Sequence, residues 1–149
     1  MEIPENTKQE AIKRLTDRYL FRGFSKEKKR WFFGSLTAIM LPSERFSTTI
    51  IYQDETKTYV QIDVDPESVG MYINLKDRKE NKIFENDIVN AYDIQSGLPI
   101  RVGIIKEIDG CFCFVYGTTP IKIPLINLYT KFLEVIGNKY QNPELYAAQ

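Results

Sequence analysis

Thr58-Tyr59-Val60-Gln61-Ile62-Asp63-Val64 alternates apolar and polar side chains along its length. In an extended strand, successive side chains point to opposite faces. Thr58, Val60, Ile62 and Val64 therefore share one face and Tyr59, Gln61 and Asp63 the other, and the aliphatic set is expected to face a core. Similar runs lie on either side, at 19–24, 31–41, 46–53, 57–64, 86–93, 99–108, 111–116, 120–125 and 132–136, separated by turn residues rather than by linkers. Asp109-Gly110 joins two of them, and Asp-Gly suits the positive φ values of a type I′ hairpin turn. Ser25-Lys26-Glu27-Lys28-Lys29-Arg30 lies between Phe21-Arg22-Gly23-Phe24 and Trp31-Phe32-Phe33, which reads as a charged hairpin tip between two half-buried strands. These runs predict a mainly β chain, an antiparallel barrel or roll of eight or nine strands around one shared interior. The expected core is Leu36, Ile50, Val60, Ile62, Val64, Ile83, Ile88, Val102, Ile104, Phe112, Phe114, Phe132, Val135 and Ile136.

Helical patterning is confined to the two ends. Thr7-Lys8-Gln9-Glu10 has the form of a capping box, and Ile12, Leu15 and Tyr19 recur at one-face spacing, so a helix is expected over 6–19. It should dock by that stripe, with its charged face in solvent. Asn142-Pro143-Glu144 reads as a second helix start, with Asn as cap, Pro in the first turn and Glu at the positive end of the dipole. Residues 1–18 are thus an N-terminal helix packed on a β domain over 19–149, a single domain overall.

Composition removes several functional classes. The 149 residues carry 43% hydrophobic and 27% charged side chains, ordinary globular proportions, and the nine Phe, nine Tyr and one Trp favour sheet over bundle. Twenty basic residues balance twenty acidic ones, so no global field draws the chain to nucleic acid or to an anionic membrane. The balance is uneven locally. Residues 1–31 hold nine Lys/Arg against five Asp/Glu, whereas 44–67 hold two against six, and patches of opposite sign attract within a chain or between copies. Cys111 and Cys113 sit two apart, on one face of a strand, where no relaxed disulfide closes; both read as core thiols. With no histidine and no third cysteine, a structural zinc site is not expected. The start Met1-Glu2-Ile3-Pro4-Glu5-Asn6 lacks a leader layout and no apolar run approaches 18 residues, so the expected location is cytoplasmic, with no membrane partner.

The same inventory limits chemistry. Without histidine, acid–base work would fall to Asp, Glu, Lys, Tyr or Cys. Asp63, Asp65 and Glu67 have the spacing of a carboxylate site for a hard cation, but Asp65-Pro66 is better read as a turn or short-helix opener, and Asp54-Glu55 as a hairpin tip. In Glu85-Asn86-Asp87-Ile88-Val89 the acidic pair at a strand entrance has ligand-binding chemistry; the structural reading is positive φ at Asn86 and an Asp87 carboxylate accepting backbone N–H groups. Gly137-Asn138 reads as a strand stop and turn. The candidate interaction surface is the basic tip: Arg22, Lys26, Lys28, Lys29, Arg30 and Trp31, since positive charge beside aromatic rings is the chemistry of single-strand binding in small barrels.

Asp65-Pro66-Glu67-Ser68-Val69-Gly70-Met71-Tyr72-Ile73-Asn74-Leu75-Lys76-Asp77, followed by Lys82-Ile83-Phe84-Glu85-Asn86-Asp87-Ile88-Val89, resembles the signature of the YopX domain family. The opening blocks Phe21–Phe24 and Trp31–Leu36 and the closing block Glu134–Leu145 extend the resemblance over about 19 to 146, in the right order. Where that family usually has glycine, this chain has Asn74, Glu80 and Asn86; Asn tolerates left-handed backbone, Glu does not, so the turn at 77–82 is expected to have changed shape. The resemblance implies a small barrel related to the SH3 type and an origin in bacteriophages or prophages, hence a bacterial host cell; it implies no activity. The expectation is a non-enzymatic, phage-type accessory protein with no cofactor, which binds a protein partner or self-associates as a homo-oligomer. The alternatives are a nucleic-acid-binding barrel using the 22–33 hairpin, and a metal-dependent hydrolase built on Asp63, Asp65, Glu85 and Asp87.

Overall fold

The computed structural model describes residues 4–40, 42 and 46–147. In chain order the elements are α1 (Glu5–Arg18), β1 (Phe21–Ser25), β2 (Arg30–Met40), β3 (Phe46–Gln53), β4 (Tyr59–Asp63), β5 (Gly70–Lys76), β6 (Lys82–Phe84), β7 (Asp87–Tyr92), β8 (Pro99–Ile108), β9 (Cys111–Tyr116), β10 (Ile121–Pro124), β11 (Leu133–Asn138) and α2 (Pro143–Ala147), with 3₁₀ turns at Pro66–Ser68, Leu125–Asn127 and Thr130–Phe132. Leu41, the last residue of the expected 31–41 run, lies outside the described residues. The chain is mainly β, as its alternation requires. It divides into two compact units, 1–72 and 73–149, each with its own buried cluster.

In the first unit the hydrogen-bonded strand order is β4-β3-β2-β1-β5, with β3–β4, β2–β3, β1–β2 and β1–β5 all antiparallel. Ile50 faces Leu36 on one side and Ile62 on the other, which places the aliphatic set of β4 on the core face. Phe32, Ile50 and Val64 are buried there, with Phe21, Leu36, Tyr52, Ile62 and Val69 packed round them. Tyr59, Gln61 and Asp63 point outward and are exposed, as the alternation predicts. The helix α1 differs from expectation at its start. Pro4 O accepts from the N–H groups of Thr7 and Lys8, so the first turn closes ahead of Thr7; the capping box does not form, and Thr7 N–H is held instead by Asn6 Oδ1 at 2.9 Å.

In the second unit the order is β10-β9-β8-β7-β11, again antiparallel, and β6 is the neighbour of β5. Ile73, Ile83, Val89, Ala91, Ile105, Phe114, Leu125 and Leu133 form its main core. The opposite sheet face carries Ile104, Cys113 and Val115, with Tyr146 of α2 against them. This five-stranded sheet ends in two edges, β10 and β11, so the expected SH3-like closure is absent. Alternation tells which face is dry, and it is silent on whether the last strand returns to the first. The Asp109-Gly110 turn has φ of 52° and 79°, the left-handed pair that type I′ needs. Strand β11 runs past the expected stop at Gly137-Asn138, because a bulge after Val135 absorbs the irregularity and pairing resumes at Gly137↔Ile88 and Asn138↔Asp87. Asn142 turns its side chain back to accept from Asn138 N–H at 3.3 Å, while Pro143 opens α2.

The expectation that the 77–82 turn has changed shape is corrected. Asn74, Glu80 and Asn86 have φ of 63°, 65° and 70°, so all three positions keep left-handed backbone despite their side chains. Its side chain forms ion pairs with Lys131 and Lys76. Lys131 holds its carboxyl below the usual glutamate range. Exposed pairs are screened by salt, whereas left-handed strain is not. Glu80→Gly is therefore expected to melt at a higher temperature than the parent in about 1 M NaCl, where the Debye length is about 3 Å, and this advantage should shrink in low salt. Paired thermal melts at the two ionic strengths check this; a Gly variant that melts lower at high salt refutes it.

Candidate interaction surface

The basic hairpin forms where expected. Pairing runs Phe24↔Trp31 and Ser25↔Arg30, and the buried Ser25 closes the turn by accepting Lys29 N–H on its carbonyl at 2.7 Å and Lys28 N–H on its hydroxyl at 3.1 Å. Lys29 sits at the tip with φ of 55°. The six candidate residues do not act as one outward patch. Arg22 is buried with its guanidinium 4.9 Å from the centre of the Trp31 ring, and Phe24 meets the same ring edge-on at 5.5 Å. Arg30 lies over Phe32 at 4.7 Å, and Phe32 belongs to the core. Lys26 pairs with Asp65 at 2.8 Å and Lys28 with Glu27 at 3.1 Å. The tip thus carries Lys28, already paired with Glu27, and Lys29, while Trp31 and Phe32 are engaged by side chains of their own hairpin.

Asp65, Asp54 and Asp87 each accept backbone N–H groups at a turn. Asp65 caps the Pro66–Ser68 turn, accepting from Glu67 N–H at 3.2 Å, as its reading as a short-helix opener predicts. Asp54 accepts from Thr56 N–H, Thr56 Oγ1 and Thr58 N–H across the β3–β4 turn; the Thr56 hydroxyl foremost, then these N–H groups, hold its carboxyl below the ordinary range. Asp87 accepts Phe84 N–H at 2.7 Å beneath the left-handed Asn86. Glu85 is pushed up by burial, with Glu107 adding to the shift. No group of three or more His, Cys, Asp or Glu side chains placed to hold a metal ion occurs among the described residues. Cys113 is buried, which raises its thiol, and Cys111 is half-buried on the same face.

Sequence reasoning missed the surface on α1. The stripe Ile12, Leu15 and Tyr19, expected to dock, is 63%, 47% and 55% exposed, and no described α1 residue is buried. The helix is tied down at its C-terminal end, where Tyr19 N–H bonds Leu15 O and Tyr72 N–H bonds Leu20 O; burial raises the Tyr72 phenol, and the charge of Asp17 adds to the shift. Amphipathic spacing marked the stripe correctly; nothing in spacing says what covers it. On the far side of the unit, the outward row of the edge strand β4 presents Tyr59, 76% exposed, with Gln61 and Asp63.

Two antiparallel sheets of short strands, with a helix at each end, define a mainly β protein. Residues 20–147 match the family described as YopX protein, and the chain belongs to that family. Among solved structures it is similar to protein yopX from Bacillus subtilis, with 21% identity, a TM-score of 0.54, and coverage of 86% of this chain and 98% of that one. Protein EF1440 from Enterococcus faecalis is similar at 22% identity with a TM-score of 0.48, covering 85% of this chain and 96% of that one. Comparison with curated proteins gives no match. No helix among the described residues is long and apolar enough to cross a membrane.

Proposed function

We propose that the protein is a non-enzymatic interaction module that binds another protein surface, either a partner or a second copy of itself. The observation that carries this reading is the exposed stripe of α1, three large apolar side chains on one helix face. A helix face of that kind is normally covered, and helix docking through anchors at i, i+3 and i+7 is a recurrent recognition mode. Support also comes from the acids singled out in the sequence: Asp54, Asp65 and Asp87 are engaged in turn and backbone contacts. The nucleic-acid reading of the basic hairpin has less support, because its arginines stack on its own aromatics. Phage or prophage origin and a bacterial cytoplasmic setting are part of this proposal.

A photo-crosslinking residue in place of Ile12, in the full chain expressed in bacterial cells, is expected to give a discrete protein adduct, and the same probe in place of the exposed Glu55 a much weaker one. Absence of any adduct at position 12 overturns the reading.

A further inference from the structure

The two sheets end in the strands β4, β6, β10 and β11, and three of these ends are blunted. Strand β6 has only three residues. Strand β10 carries Lys122 and stops at Pro124, both of which discourage further pairing. The outer side of β11 is taken by the 77–81 turn, where Arg78 N–H bonds Leu133 O and Val135 N–H bonds Asp77 Oδ2. Strand β4 has none of these devices: its five residues pair with β3 in unbroken register and include neither Pro nor Lys. The bonds at its two ends fix the direction of its backbone groups. Thr58 O accepts from Asp54 N–H at 2.9 Å and Val64 N–H bonds Thr48 O at 3.0 Å, so in an antiparallel ladder Val60 and Ile62 also face β3. The N–H and C=O groups of Tyr59, Gln61 and Asp63 therefore point away from β3, and no bond from another described residue reaches them.

Beyond the α1 surface, and without resting on it, we infer that the β4 edge is a docking site for an extended peptide of basic character, which adds a strand to the sheet of the first unit. Strand addition at an open edge takes its affinity from main-chain hydrogen bonds, and the side chains beside the edge select the sequence. Here they select by charge. Strand β3 carries no charged residue, so the charge along the edge is set by β4 and its flanks. At the β3–β4 turn the exposed Lys57 and Glu55 balance, and Asp54 is engaged by Thr56 and Thr58. At the far end Asp65 is paired with Lys26, whereas Asp63 and Glu67 are exposed acids with no basic partner among the described residues. A Lys or Arg opposite Asp63 on the added strand would have its Cβ about 5 Å away, inside the roughly 8 Å range of exposed charges in physiological salt. A second β4 brings the same excess of acid and no base on the strand itself, which disfavours self-pairing at this edge. Tyr59, 76% exposed, offers its ring to the other end of the peptide. Five residues span about 17 Å, so the contact is the small one of a transient encounter.

The test is an NMR titration of the full chain, at low ionic strength, with three synthetic probes: the blocked peptide Lys-Val-Lys-Val-Lys, its counterpart with Glu for Lys, and a fully N-methylated form of the Lys peptide. The Lys peptide is expected to shift the amides of Tyr59, Gln61 and Asp63 saturably, with a dissociation constant below about 1 mM, and to slow their hydrogen exchange. The Glu peptide should bind about tenfold more weakly, and the N-methylated peptide, which has no donors for the edge, should not bind there. Asp63→Lys, at an exposed position and checked for folding by circular dichroism, should weaken the Lys peptide about tenfold and strengthen the Glu peptide. Amides 59, 61 and 63 that do not respond overturn the inference, and so does a Glu or N-methylated peptide that binds as well as the Lys peptide. A chain that dimerises without peptide and protects those three amides places a second copy at the edge and also overturns it. The position 12 crosslink reads α1 alone, so failure here leaves that surface standing, and absence of the adduct leaves this one.

Discussion

Asp77→Ala is expected to remove about 4 kcal/mol of stability from the 73–149 unit, a large part of what a small domain has. Asp77 is fully buried, and its two carboxylate oxygens hold a loop to a strand. Oδ1 accepts Lys79 N–H at 2.8 Å and Asn81 N–H at 2.9 Å, while Oδ2 accepts Val135 N–H at 2.9 Å and the Asn81 side-chain amide at 3.3 Å. Asp77 N–H in turn bonds Asn81 O, and Arg78 N–H bonds Leu133 O, so the 77–81 turn is stitched to β11 on both sides of the carboxylate. Truncation removes the acceptor of three part-buried backbone donors, and each costs about 1–3 kcal/mol when left buried, less than additively. Asp77→Asn is expected to cost about half as much, because the amide keeps one acceptor and turns a donor toward the others. Urea denaturation followed by NMR signals from residues 73–149 measures both; an alanine variant within about 1 kcal/mol of the parent refutes the role.

The same site sets a pH dependence. Burial by itself raises the Asp77 carboxyl, but the hydrogen bonds from Val135, Asn81 and Lys79 together outweigh it and hold the group below its unfolded value of 3.8. A carboxyl depressed by folding adds stability that is complete above the unfolded pKa and disappears as pH falls through the folded one. The parent should therefore lose stability progressively below about pH 4. Asp77→Asn, with nothing to protonate, should show a flatter acid limb over that window.

What the sequence made legible was local. The alternation of β4, the Asp109-Gly110 turn and the capping of Pro66–Ser68 by Asp65 depend on neighbours within a few residues, and each formed where the residues placed it. Strand β5 was not foreseen, because Gly70–Lys76 lacks alternation: its first residues are covered on both faces and its last three on neither. Strand β6 has only three residues, too few to show a period. The turn at Glu80 misled for a different reason. Propensity argues against glutamate at positive φ, yet the docking of that turn on β11 through Asp77 fixes its shape, and Lys131 and Lys76 gather round the side chain that results. At the candidate surface, the charges of the 22–31 hairpin were visible, but their inward stacking depends on which ring each guanidinium meets across the strand pair.

Phe114→Ala is expected to cost about 3–5 kcal/mol, the range for a large aromatic removed from a closed core. Phe114 is 2% exposed, lies opposite Ile105 in the β8–β9 register, and belongs to the main cluster of its unit. Its ring can lie where it does because β8 carries glycine at position 103. A Cβ there would come within 2.3 Å of Phe114 Cε2, 2.6 Å of Cζ and 2.8 Å of Val115 O. Gly103→Ala must therefore displace both a buried ring and a strand backbone, at a cost of about 1–3 kcal/mol or more. The two positions are coupled, and the sign of the coupling is fixed by the geometry. Once the ring is gone, the two closest of those contacts go with it; the added methyl still meets the Val115 carbonyl at 2.8 Å and fills part of the space the ring has left. The double variant should then be more stable than the sum of the two single costs predicts, by about 1 kcal/mol. Additive costs in urea denaturation would mean that the glycine serves β8 for some reason other than this ring.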